Sequence, residues 1–218
     1  MLVLVVLAAF PEEVVDRIVA VVNRQVILQS ELEEAQRVES LQQGKSLDEL
    51  TSQTADAVLD RLIDQALLQQ QIVNKSVVEP ATDEISSQIR EIRSHIPGAA
   101  ADEKWRALLG AYGLNEQDVA IHIASQLRIL KFIDLRFRIL ARVDRASISS
   151  YYQEKLLPEL RKQGASEPPL SQVSGKIEQI LTEQRINELL NSWLQALRSQ
   201  AHIEKMNSDP KATAGALQ

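Results

Sequence analysis

A chain of 218 residues with 44% hydrophobic and 25% charged positions can bury a substantial core, which excludes an intrinsically disordered tail. Its net charge of −6 argues against a nucleic-acid binder, and the absence of cysteine excludes disulfides, thiolate metal sites and cysteine nucleophiles. Seven glycines and seven prolines fit a mainly helical chain, and 4% aromatic content means that any binding surface is chiefly aliphatic.

The chain opens on MLVLVVLAAF, an uninterrupted apolar run too short to span a bilayer. Its length is that of the apolar part of a signal peptide, although the preceding positive segment is missing; residues 1–11 are expected to be a truncated signal, with a buried N-terminal strand as the alternative. The signal reading places the mature protein outside the cytoplasm. Ile18 to Val22 and Gln25 to Leu28 are two short apolar runs around Asn23-Arg24, a β-hairpin pattern. A lone hairpin is marginal in water, so it needs a partner.

Helical periodicity governs most of the chain beyond Leu28. Gln29 to Gln43 is a helix with Ser30 as its expected N-cap and Gly44 as its stop. Leu47 to about Asn74 carries Val58, Leu59, Leu62, Ile63, Ala66 and Leu67 on one face, and Val77-Val78-Glu79-Pro80 breaks it. Thr82 opens a third helix, closed by Pro97-Gly98, and Asp102 to Tyr112 forms a fourth. Asn115 caps the most apolar helix, Glu116 to about Arg142, whose aliphatic residues run round much of the cylinder and predict a central position. Ser147 is the expected cap of a helix to Leu157, residues 158–169 read as a polar connector, and Leu170 to Gln200 is a long final helix. Residues 201–206 alternate like a strand, and 207–218 read as a disordered tail. The hairpin's partner is expected to be the strand at Ile203, so that the two ends of the chain close one mainly α domain, residues 12–206, over a small sheet.

With these elements placed, DRIVAVVNRQVILQSELEEA, VLDRLIDQALLQQQIVNKSV, ARVDRASISSYYQEKL and the ending from PLSQVSGKIEQILTEQ to HIEKM together resemble SurA-type periplasmic chaperones and peptidyl-prolyl isomerases. Many members of that family carry parvulin isomerase domains between the helix with the paired tyrosines and the final helix. Here the interval is only Gln153 to Pro169, so the resemblance implies the chaperone core without its isomerase modules. It further implies a periplasmic, ATP-independent holdase whose partners are unfolded or extended polypeptides, among them outer-membrane proteins. Neither nucleic acid nor stable membrane insertion is expected, and a homodimer by strand or helix exchange is conceivable. A structural protein docking one dedicated partner and a prolyl isomerase are the alternatives.

No residue pattern assembles a catalytic or metal centre. His95, His122 and His202 lie on different elements without metal-ligand spacing. Asp60 and Asp64 share a helix face with Arg61 nearby; a solvated outer face explains them more simply than acid–base chemistry. Glu31, Glu33 and Glu34 fit capping and the helix dipole. Arg128, Lys131, Arg136, Arg138, Arg142 and Arg145 form the densest basic run, suited to an acidic partner or lipid headgroups, or merely to balancing acidic neighbours. Trp193 and the other large aromatics are more simply core anchors, but Trp105, Leu108, Leu109, Tyr112, Tyr151 and Tyr152 are the expected lining of a peptide groove. No cofactor is expected.

Overall fold

A computed structural model describes residues 16–72 and 78–206. The apolar start, Val77 and the terminal tail lie outside the described residues. Strand β1 (Ile18–Val22) turns through Asn23-Arg24 into β2 (Gln25–Leu28), and β3 (Ile203–Lys205) pairs antiparallel with the other edge of β1. The order β2-β1-β3 makes β1 the central strand. Val19, Ala20 and Val22 are buried, which is why β1 reads as a continuous apolar run rather than an alternating one. The two ends of the chain are therefore joined in one sheet, as expected.

Asn23 secures that junction. Its φ of 58° is one that asparagine tolerates better than most residues. Its backbone N–H donates to the His202 carbonyl at 2.7 Å, and its Oδ1 accepts from the His202 N–H at 3.0 Å. Its Nδ2 donates to Gln70 Oε1 at 2.7 Å. One side chain thus links the hairpin tip, the end of a helix and the entry to β3.

Helix α1 (Gln29–Gln43) is capped closer to its start than the sequence pattern implies. Glu31, not Glu33, reaches back to accept from the Leu28 N–H at 2.8 Å, and Ser30 lies inside the first turn, bonded to Asp16. Gly44, at φ 63°, ends the helix, and Lys45 N–H returns to the Ser40 carbonyl at 2.9 Å. The expected helix from Leu47 is divided into a short 3-10 turn (Leu47–Glu49) and α2 (Ser52–Gln70). The division falls at Thr51, whose hydroxyl caps the Thr54 N–H while Thr54 Oγ1 accepts from the Thr51 N–H.

Helices α3 (Thr82–His95) and α4 (Asp102–Ala111) come next, then α5 (Glu116–Phe137), capped by Asn115 through the Gln117 and Asp118 amides. The last expected turn of α5 is instead a hydrogen-bonded turn, 138–141, that tightens the end of the helix and buries Ala141. Asp144, rather than Ser147, caps α6 (Arg145–Tyr151) by accepting from the Ser147 N–H. A π-helical turn (Tyr152–Leu156) leads into α7 (Leu157–Lys162), so the polar segment is helical through Lys162 and only 163–169 connects. Pro158 accounts for the wide turn: its ring crowds the carbonyl four residues back and it has no N–H to donate. Helix α8 (Leu170–Gln200), about 46 Å long, leads into β3.

Among the described residues, three apolar clusters hold the sheet, α1 to α5 and α8. The first joins the sheet to α1 and α2, with Leu197 and Ile203 packed against it. The second gathers Val38, Leu41, Trp105, Leu109, Val119 and Ile123, with the isoleucines of α3 at its edge. The third joins the end of α2, the second half of α5 and α8, around Ile129, Ile133, Phe137 and Trp193. Trp193 packs on Phe132 and Phe137 at ring separations of 6.0 and 5.6 Å, and the Arg136 guanidinium lies 4.2 Å from its ring centre.

Candidate functional site

An open groove of about 710 Å³ runs between the second half of α5 and the middle of α8. Leu130, Ile133, Leu135, Ile186 and Leu190 supply its apolar lining; Lys131, Asp134, Arg138, Glu183 and Asn187 supply its polar rim. Ile133 belongs to the third cluster, with Ile186 and Leu190 packed against it, so these wall residues are held by packing rather than free to collapse. Leu130 and Leu135 are each 59% exposed. Lys131, Asp134 and Arg138 are paired, Lys131 Nζ meeting Glu84 at 2.6 Å and Arg138 Nε meeting Asp134 Oδ1 at 2.7 Å, while Glu183 accepts from Gln179 Nε2 at 3.0 Å. The Lys131 bond holds the Glu84 carboxyl below the ordinary carboxylate range, and the Asp134 bond raises the Arg138 guanidinium. Such a groove can take apolar side chains of an extended chain against its aliphatic lining, with most of its rim charges already paired.

The expected groove residues occupy three different settings. Trp105 and Leu109 are 0% and 1% exposed inside the second cluster and present no surface; they are core residues because α4 turns that face onto α1 and α5. Leu108 and Tyr112 line a separate cleft of about 410 Å³ with Leu41, Ile96 and Pro97, where the Tyr112 hydroxyl donates to the Lys45 carbonyl at 2.7 Å. Tyr151 and Tyr152 are half-buried on α6 and the π turn, and the Tyr152 hydroxyl donates to the Pro168 carbonyl at 2.8 Å, bracing the connector. Sequence reasoning misses the α5–α8 groove, although its signal is present. Helix α5 has more aliphatic positions than one buried stripe uses, and the surplus lies at Leu130 and Leu135.

Asp60 and Asp64 prove to be neither solvated spectators nor an acid–base pair. Arg198 Nε donates to Asp64 at 2.6 Å and its Nη2 to the Asp60 carbonyl at 3.0 Å, while Lys205 Nζ reaches Asp60 at 2.9 Å. These acids clasp α8 and β3 to α2, and Arg61 pairs instead with Glu39. In the basic run, Arg128 meets Glu79 at 2.6 Å, so Arg128, Lys131 and Arg138 do balance acidic neighbours. Among the described residues, no group of three or more histidine or acidic side chains could hold a metal ion.

His122 sits half-buried beside Glu34, Asp118 and Ser125 in a cleft between β2, α2 and α5. Gln126 Nε2 lies 2.9 Å from its ring Nε2; the amide donates and the neutral ring accepts. Burial holds the imidazole below its ordinary 6.5, with Glu39 opposing. Burial raises the Glu34 carboxyl, and Asp118 reinforces that. Just below pH 6.5 the folded chain therefore binds fewer protons at His122 than the unfolded chain, so this group removes stability as pH falls. Glu34 acts oppositely at lower pH, favouring the fold as pH falls towards 4.5. The thermal midpoint should fall more for the wild type than for His122→Gln between about pH 7.5 and 5.5. Parallel curves would show that His122 does not couple to folding.

The family model of the SurA-like N-terminal domain matches residues 2–133, more than half of the chain. The chain belongs to the SurA-like N-terminal domain family. No curated protein matches it. The family match spans the hairpin, α1 to α4 and most of α5, including Leu130, Lys131 and Ile133 of the groove. The opposite wall, on α8, lies beyond the matched residues. Among the described residues no helix is long and apolar enough to cross a membrane.

Proposed function

We propose that this SurA-like chain is an ATP-independent holdase, binding unfolded or extended polypeptides in the periplasm, outer-membrane and secreted proteins among them, without prolyl isomerase activity. The open, aliphatic α5–α8 groove carries the reading: its walls are fixed by core packing while Leu130 and Leu135 stay exposed. Holding requires no catalytic group. Client side chains lose water against the groove, and the acidic surface keeps the complex dispersed. Ordering a disordered client offsets much of the contact energy, so binding is weak at each site and repeated along the client. The reading treats residues 12–206 as one working unit, with the interval from Gln153 to Pro169 standing where an isomerase module sits in many relatives.

Dilution of an unfolded outer-membrane β-barrel protein, and of an unrelated unfolded soluble protein, into the chain tests this. Aggregation should fall at near-stoichiometric ratios. The double variant Leu130→Glu, Leu135→Glu should need about ten times more protein for the same protection. Its thermal midpoint should be nearly unchanged, because both side chains are already solvated. Full protection by the variant would remove the groove from the mechanism. Failure of the wild type on both clients would favour a dedicated-partner role, and turnover in an uncoupled isomerisation assay would restore the isomerase reading.

A further inference from the structure

Four of the eight exposed large hydrophobic side chains among the described residues fall between Leu130 and Leu140. Two line the groove. The other two, Ile139 and Leu140, are the most exposed of all, at 71% and 65%, and sit beyond it on the turn after α5. That turn is hydrogen-bonded at its base. Phe137 and Ala141 on either side are buried, the Leu140 N–H donates to the Phe137 carbonyl at 2.9 Å, and the Ala141 N–H donates to the same carbonyl at 3.0 Å. Two adjacent aliphatic side chains thus stand in solvent between two buried neighbours.

Their surroundings are basic. Arg136, Arg138, Arg142 and Arg145 are all exposed and flank the pair. Arg138 is paired with Asp134, and the Arg136 guanidinium lies over the Trp193 ring, 4.2 Å from its centre. Arg142 and Arg145 make no ion pair among the described residues. The nearest acids are otherwise engaged: Asp144 accepts from the Ser147 N–H, and Glu188 pairs with Arg185. Residues 134–145 hold four arginines against two aspartates, a local charge of +2 on a chain of net charge −6.

We infer that this tip is a peripheral docking site for an anionic phospholipid surface. Ile139 and Leu140 would enter the boundary between headgroups and acyl chains, and Arg136, Arg142 and Arg145 would meet lipid phosphates. Paired aliphatic residues on a hydrogen-bonded turn, ringed by arginines, match the two zones of such a surface, apolar beneath and negative above. An acidic protein partner would use the arginines but leave the two aliphatics unexplained; a purely apolar partner would do the reverse. The chain's overall negative charge does not prevent the contact, because charges farther than about 8–10 Å from the surface are screened at moderate salt. The inference is independent of the holdase reading, since it uses a different pair of side chains.

Co-sedimentation of the full chain with vesicles tests it. Binding is expected to vesicles of roughly 3:1 phosphatidylcholine to phosphatidylglycerol, and to weaken about ten-fold when salt rises from about 50 to 300 mM. Both Ile139→Ser with Leu140→Ser and Arg142→Gln with Arg145→Gln should lower affinity about ten-fold while far-ultraviolet circular dichroism and thermal midpoint stay at wild-type values. Unaltered binding by either double variant overturns the inference. Absence of wild-type binding also overturns it, as does a serine variant that binds vesicles normally but loses protection of unfolded clients, which would make the tip a polypeptide contact.

Discussion

Replacing Trp105 by alanine is expected to cost about 3–5 kcal/mol, the range for removing a large side chain from a tight core. Trp105 is wholly buried at the centre of the second cluster, where α1, α3, α4 and α5 converge. The loss extends to the loop between α3 and α4. Arg93 lies with its guanidinium 5.6 Å from the Trp105 ring centre while donating to the Ala99 and Ala100 carbonyls and pairing with Asp102 at 2.7 Å. Trp105→Phe should be much milder, below about 2 kcal/mol, because it also removes a buried indole N–H that has no acceptor among the described residues. Chemical denaturation monitored by circular dichroism measures both. A cost below about 1 kcal/mol for the alanine variant would mean that this cluster is not a core and would make Trp105 a surface candidate again.

Ending the chain at Gln200 is expected to lower stability by about 3–5 kcal/mol and to promote self-association. The cut removes β3 and its ladder to β1, the two hydrogen bonds between Asn23 and His202 (one backbone to backbone, one to the Asn23 side chain), the Lys205–Asp60 contact and the packing of Ile203 on the first cluster. Each net hydrogen bond contributes about 0.5–1.5 kcal/mol and the apolar burial about as much again. The central strand then becomes an edge with open N–H and carbonyl groups, which recruits other chains. Thermal unfolding and light scattering of the truncated and full chains measure the two effects. A truncated chain as stable and as monodisperse as the full one would show that the terminal strand does not close the fold. Light scattering of the full chain also reports whether strand or helix exchange makes a dimer.

Much of this architecture follows from local pattern. The hairpin at Asn23-Arg24, the Gly44 stop, the Asn115 cap and the bounds of the final helix are set by residues acting within a few positions of themselves, so the sequence determines them alone. The pairing of the hairpin with Ile203 could also be reasoned out, because an isolated hairpin needs a third strand and the chain offers one other candidate. Membership in the SurA-like family was legible from the order of motifs along the chain.

Contacts between distant residues were decided only by the tertiary structure. Asp60 and Asp64 looked like a solvated face because Arg198, which neutralises them, lies 134 positions beyond Asp64. Trp105 and Leu109 looked like groove residues because an apolar stripe does not reveal whether another helix covers it. Leu130 and Leu135 looked like core for the same reason: α5 packs against several helices, yet its partners do not reach all of its apolar surface. Helical periodicity determines which side chains share a face, but whether that face meets protein or water depends on where the other helices lie.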